Sequence, residues 1–250
     1  MSASSMRQYG GRNVWVHLPT GYDPDRPEPY PLLVLHDGQN VSASRPEAWG
    51  GSWRADETID RLLEAGTIPP VVLAAVDHAG THRIKEFTPP PRAFFRRRPA
   101  ERYDRLLRET ILPGLAADLH VRTDPDGLAM GGSSMGALVT TWMAARHAGE
   151  IGRLLLMSPS VWWKWHRILP VLRRRPIHPD TRVWIDIGRH EGARFVRDAE
   201  ALRDAIVACG CRSVRYVEDS DGDHSEASWA RRLPEALTWL YGEPPTDEGP

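Results

Sequence analysis

The sequence predicts a single α/β domain in which a mostly parallel central sheet is flanked by helices on both faces. Three observations carry that expectation. Short apolar runs recur along the chain with interiors of nearly unbroken Val, Leu and Ile, as parallel strands buried on both faces require. Between the runs the apolar period lengthens to that of a helix. The chemically versatile residues gather just after the runs, and open α/β sheets bind their ligands beyond the carboxyl ends of the strands.

The runs are NVWVHLP (13–19), YPLLVLHDG (30–38), PVVLAAVD (70–77), GLAMGG (127–132), GRLLLMS (152–158), TRVWIDIG (181–188) and SVRYVED (213–219). A short Pro/Asp-rich stretch joins the first two, so a hairpin is expected there. Among the helical stretches, Phe195, Ala199, Leu202 and Ile206 share one face, as do Trp229, Leu233, Leu237 and Leu240. No repeat is visible. The expected core runs over about 12–241, within one domain spanning 1–250, with 2–11 and 243–250 read as frayed polar tails.

The chain has 250 residues, of which 41% are hydrophobic and 26% charged, with a formal net charge of −1. That composition supplies a sizeable core, and it predicts neither a nucleic-acid nor a membrane partner. The first residues, MSASSMRQYGG, have no apolar stretch of signal-peptide length, and no run approaches a membrane span. A cytoplasmic location is expected. Cys209 and Cys211, one residue apart, read as two ordinary thiols. Nothing in the sequence indicates an oligomeric state.

Gly132-Ser133-Ser134-Met135-Gly136 is G-x-S-x-G, placed between a short apolar run and a helical pattern. A random chain of this length holds that pattern roughly one time in ten, so the context decides its meaning. Here it has the context of a nucleophile elbow, a strand-to-helix turn so sharp that the central serine is strained and its hydroxyl projects. A serine hydroxyl needs a base, normally a histidine oriented by a carboxylate, and the chain order that goes with this elbow is Ser, acid, His. Beyond Ser134, His224 stands apart because it lies in the polar loop DSDGDHSE after the last strand. A surface histidine in an acidic turn is the competing reading, and His190 is the competing base. For the acid, Glu191 lies three residues past Gly188 in a loop, whereas Asp186 lies inside the run. Asp219–Asp223 and a Ser–His dyad remain alternatives. The oxyanion needs two backbone N–H donors. Met135, at the start of its helix, supplies one, and Gln39 of HDGQN is the candidate for the other, with an ordinary Asp-Gly turn as the alternative.

Other signals are weaker. His78 and His82 lack a third ligand at metal-site spacing, and around Asp219, Asp221 and Asp223 the glycine and the distal glutamate of a calcium loop are in the wrong places, so neither metal nor other cofactor is expected. Of the ten tryptophans, Trp49 and Trp53 follow the HDGQN loop, and Trp162, Trp163 and Trp165 follow the 152–158 run. Trp53 and Trp162 are the candidates for a substrate-pocket wall, against core packing for most of the set. The segment 82–100, with its proline-rich PPPRAFFRRRP, is a candidate partial lid. Its Arg92, Arg96, Arg97 and Arg98 would face an anionic substrate, or simply solvent.

LLVLHDGQN, the spacing from Gly50 to Trp53, Arg83 with Glu86-Phe87-Thr88-Pro89, GGSSMGAL, SPSVWW, DIGRHEG and HSEASWARRLPEAL occur here in one order. In that combination the chain resembles the "putative esterase" branch of the α/β-hydrolases over roughly residues 12–241. The branch includes siderophore esterases, feruloyl esterases, S-formylglutathione hydrolase and mycobacterial mycolyltransferases. The resemblance implies an α/β-hydrolase fold and a serine carboxylesterase acting through an acyl-enzyme on a small-molecule ester. It implies Ser134 as nucleophile, His224 as base, Glu191 at the acid position, and Gln39 with Met135 as oxyanion donors. A siderophore trilactone esterase and an acyltransferase are the neighbouring activities. Two departures stand out. Ala137 replaces a third glycine common in relatives, and some siderophore esterases work with serine and histidine alone.

Overall fold

The structure, a computed structural model, describes residues 2–45, 51–89 and 99–242. Its centre is an eight-stranded sheet in the order β1-β2-β4-β3-β5-β6-β7-β8. The strands are β1 (Ala3–Tyr9), β2 (Arg12–Leu18), β3 (Leu32–His36), β4 (Val72–Val76), β5 (Leu128–Ser133), β6 (Arg153–Met157), β7 (Arg182–Gly188) and β8 (Ser213–Asp219). β2 is antiparallel to β1 and β4, and every pair from β4 through β8 is parallel. This is the α/β-hydrolase fold.

Alternation along the strands divides the core into two layers, because successive side chains point to opposite faces. Leu32, Val34, Val72, Ala74, Met130, Leu154, Leu156, Val183 and Ile185 face one layer; Leu33, Leu35, Leu73, Ala75, Ala129, Leu155, Met157 and Trp184 face the other. The first layer is covered by α3 (Pro99–Leu106), a π-helical turn through Ile111, α4 (Leu112–Asp118), α5 (Met135–Arg146), α6 (Ile168–Arg174) and α7 (Ala193–Ala208). The second is covered by α1 (Ala55–Glu64) and α8 (Glu226–Tyr241). A short α2 (Arg83–Glu86) follows β4. No helix among the described residues is long and apolar enough to cross a membrane.

Two expectations are corrected. The segment 2–11 is no frayed tail. Residues 3–9 form edge strand β1, turned onto β2 by Gly10-Gly11, both at positive φ (55° and 77°), a conformation that a two-residue hairpin turn requires. Nor do the runs 13–19 and 30–38 form a hairpin: β3 lies between β4 and β5, and β2 pairs with β1 and β4. A polar connection does not specify which strands pair.

Trp229, Leu233, Leu237 and Leu240 are buried together, as are Ala199, Leu202 and Ile206. Phe195, expected on that second face, is 36% exposed and lies at the rim of the cavity described next.

Candidate active site

β5 ends at Ser133 and α5 begins at Met135, so the chain reverses direction within one residue. That residue, Ser134, has φ 54° and ψ −117°, a strained backbone for an L residue. The strain is held from both sides. Ser134 N–H donates to the Met157 carbonyl (2.9 Å), and the Ser134 carbonyl accepts from Ser160 N–H (3.1 Å) and Leu138 N–H (3.2 Å). Its Oγ lies 3.1 Å from Ser160 Oγ. Ser133 is 5% exposed and belongs to the strand.

Ser134 shares a cavity of about 260 Å³ with His224, Glu191, Ser158, Pro159, Ser160, Trp162, Ile187 and Phe195. A larger cavity of about 440 Å³, lined by Leu107, Met130 and Met143, contains none of Ser134, Glu191 and His224.

His224 is carried by the loop between β8 and α8. The acidic residues of that loop brace it: Asp221 N–H donates to Asp219 (3.1 Å), Ser228 Oγ to Asp223 (2.6 Å), and Arg231 to Asp219 (2.6 Å). His224 Nδ1 lies 2.6 Å from Glu191 Oε2, and its ring stands edge-on to Trp229. His147 and His166 have acids of their own, Asp104 (2.9 Å) and Asp198 (2.7 Å), and neither lines the cavity. His190 is exposed, with its N–H on the Gly222 carbonyl.

Glu191 ends a single helical turn that starts immediately after β7. Its side chain is 3% exposed and folds back so that Oε1 accepts from Gly188 N–H (2.9 Å) and Ser158 Oγ (2.6 Å). Burial alone would raise the Glu191 pKa. The hydrogen bonds from His224, Ser158 and Gly188 outweigh it and hold the carboxyl below its ordinary value. Asp186, the other candidate, points the opposite way, with Oδ1 on Arg232 Nε (2.9 Å) and Oδ2 on Trp184 Nε1 (2.8 Å). It is fully buried, and that burial pushes its carboxyl up to about 6 despite Arg232.

The HDGQN loop lies across the β5 end from this pair. Asp37 adopts a left-handed conformation (φ 57°), and Arg83 grips its carboxylate through Nε and Nη2, both at 2.6 Å. Gly38 presses on β4 so closely that a Cβ there would meet the Ala75 carbonyl oxygen at 2.5 Å. The Gln39 side chain brackets the His78 backbone, donating to its carbonyl and accepting from its N–H, both at 3.1 Å. Beneath the loop, His36 is fully buried and pairs with Tyr103 OH at 2.7 Å; burial pushes its pKa down to about 3. Met135, first residue of α5, has one of the N–H groups that a helix leaves without an intrahelical acceptor.

Of the tryptophans, Trp162 lines the cavity and meets Phe195 edge-on at 6.4 Å. Trp53 does not reach it and is corrected: at 2% exposure it packs on Trp229 in the core layer behind His224. Trp49, Gly50 and the 90–98 part of the expected lid, with Arg92, Arg96, Arg97 and Arg98, lie outside the described residues. Among the described residues no group of three or more His, Cys, Asp or Glu is arranged to hold a metal ion.

Sequence reasoning missed the partners behind these groups. Arg83 belongs to a quoted motif but had no role until Asp37 was placed beside it. Ser158, in SPSVWW, and Arg232, in HSEASWARRLPEAL, likewise fall within such motifs with nothing local to say what they meet.

A strained serine between strand and helix shares one cavity with a histidine–carboxylate pair at the carboxyl edge of the parallel sheet, within an α/β-hydrolase fold. Residues 5–240 match the family model described as "Putative esterase". The chain belongs to that family. It is 25% identical over 245 residues to the iron(III) enterobactin esterase of Dickeya dadantii, covering 92% of this chain and 51% of that protein. It is also 20% identical over 255 residues to Bacillus subtilis YbbA, covering 96% of each. Among solved structures, the enterobactin esterase FES from Shigella flexneri superposes with a TM-score of 0.76 at 22% identity, over 96% of this chain and 58% of that one. The chain thus spans little more than half the length of the enterobactin esterases it matches.

Proposed function

We propose that the protein is a serine carboxylic-ester hydrolase that works through an acyl-enzyme formed on Ser134. The observation that carries this reading is the 2.6 Å contact between His224 Nδ1 and Glu191 Oε2 in the cavity that also holds strained Ser134. With Nδ1–H directed at the carboxylate, His224 Nε2 is the basic nitrogen. It takes the Ser134 proton as Oγ attacks the ester carbonyl. The backbone N–H groups of Gln39 and Met135 receive the oxyanion, helped by the positive end of α5. His224 then protonates the departing alcohol, and water repeats the sequence to release the acid. The apolar walls from Pro159, Trp162, Ile187 and Phe195 suit a small or aromatic uncharged acyl group.

The test is covalent and kinetic. A fluorophosphonate is expected to label the wild type at Ser134 and to leave Ser134→Ala unlabelled, with hydrolysis of short-chain p-nitrophenyl esters abolished in the variant. Labelling of Ser133, or residual turnover near the wild-type rate, would overturn the assignment. Ranking aliphatic esters, aromatic-acid esters and a siderophore trilactone by kcat/KM, with and without an added alcohol, identifies the ester and separates hydrolysis from acyl transfer.

A further inference from the structure

The Glu191 carboxylate is served by more than His224. Ser158, the first residue after β6, is 2% exposed and has φ 44°, a left-handed conformation that an L side chain seldom adopts. Its N–H is fixed on the Asp186 carbonyl at 2.9 Å. Its hydroxyl has three neighbours: Trp229 Nε1 and Arg232 Nη2, each at 2.9 Å, and Glu191 Oε1 at 2.6 Å. A hydroxyl has one proton to donate and two lone pairs to accept with. Indole and guanidinium N–H groups only donate, so they occupy both lone pairs. The proton is left with one destination, Glu191.

We propose that Ser158 is a positioning residue for the acid, its hydroxyl held as an obligate donor to Glu191 by the donor-only groups of Trp229 and Arg232. The proposal rests on the reading of Glu191 as the triad acid. Its consequence reaches the histidine. Glu191 Oε1 already accepts from Ser158 and from Gly188 N–H, so that oxygen has no neighbour to which it could donate a proton. A proton on Glu191 would have to sit on Oε2, facing His224 Nδ1, and would impose the tautomer that cannot act as base. Keeping Glu191 ionised therefore keeps Nδ1 protonated and Nε2 free.

The charges behind the hydroxyl are fixed in turn. Arg232 is held by Asp186 Oδ1 (2.9 Å) and Asp219 Oδ2 (3.4 Å), and Trp184 Nε1 occupies the second Asp186 oxygen. Arg232, Asp186 and Asp219, with His224 itself, are the charged or titratable groups that this network brings to bear on Glu191.

Two variants test the proposal. Ser158→Ala removes the donor. Trp229→Phe keeps a ring against His224 but empties one Ser158 lone pair, so that the hydroxyl is no longer forced toward Glu191. Ser158→Ala is expected to lower kcat by about 10- to 100-fold, by analogy with the loss when the partner that orients a metal ligand is removed, with KM nearly unchanged. Losing a donor to an anionic pair raises that pair's proton affinity. The midpoint of the His224 ring titration, followed by NMR without substrate, and the acid limb of the kcat/KM profile should both move to higher pH. Trp229→Phe should shift both in the same direction by less, and it decides the matter if Ser158→Ala fails to fold. Wild-type midpoints in both variants would overturn the proposal, whatever their melting temperatures. Glu191→Gln separates this failure from failure of the triad reading. If it leaves the His224 titration unmoved, Glu191 is not the acid; if it shifts the titration while the other two variants do not, only the role of Ser158 falls.

Discussion

The difference between Glu191 and Asp186 is decided by direction. Asp186 lies within β7 and Glu191 three residues past its end; Glu191 folds toward His224 and Asp186 toward Arg232. Glu191→Gln keeps the shape and presents an amide N–H to Nδ1, favouring the wrong tautomer. Its kcat is expected to fall by roughly 10²–10⁴ with a modest change in KM. Asp186→Asn should act on stability, because it leaves the buried Arg232 charge with Asp219, at 3.4 Å, as its remaining anionic partner. A broken buried pair costs about 3–5 kcal/mol, and denaturant unfolding of the two variants checks the contrast. The pH dependence has a definite sign. Because the Glu191 pKa is depressed in the folded state, its stabilisation is present above the ordinary value of 4.5 and is lost as pH falls through the folded value. The gap in melting temperature between wild type and Glu191→Gln should therefore be present near neutrality and close in acid.

Elements hold these residues in place, and at this scale the sequence was unevenly legible. The strands buried on both faces were readable because burial leaves an unbroken apolar run. β1 was not, because its side chains are largely exposed and its pairing is carried by backbone groups that no side-chain pattern records. Ser134, Glu191 and His224 could be proposed from local spacing, since each sits just past a strand end. Arg83 and Arg232 could not, because their partners, Asp37 and Asp186, are 46 residues away in each case and charge alone does not say which acid an arginine meets. The HDGQN loop shows the same limit. Its glycine is required by close contact with β4, which no local pattern records. Gly38→Ala is expected to displace the Gln39 N–H and to lower kcat by about 10²–10³, the usual loss for one oxyanion donor. Gln39→Ala, which removes only the two bonds to His78, should lose less. Steady-state kinetics on one ester, with circular dichroism to confirm folding, checks the order.

At the scale of the whole molecule, the proposed machinery is gathered from four strand ends: Gln39 after β3, Ser134 after β5, Glu191 after β7 and His224 after β8. Each neighbouring pair from β4 to β8 is parallel, and a parallel pair forms only after a long crossover has closed. Contacts so distant in sequence form slowly. β8 is an edge strand, half-exposed, and its following loop delivers the histidine. During refolding from denaturant, burial of core tryptophans such as Trp184 should therefore precede the return of ester hydrolysis. Stopped-flow fluorescence beside a chromogenic ester would show activity lagging the fluorescence change; coincident rates would mean that the edge docks together with the core. On that expected order, competence arrives late and all at once, and a partly folded chain would have no hydrolytic power to turn on the esters around it.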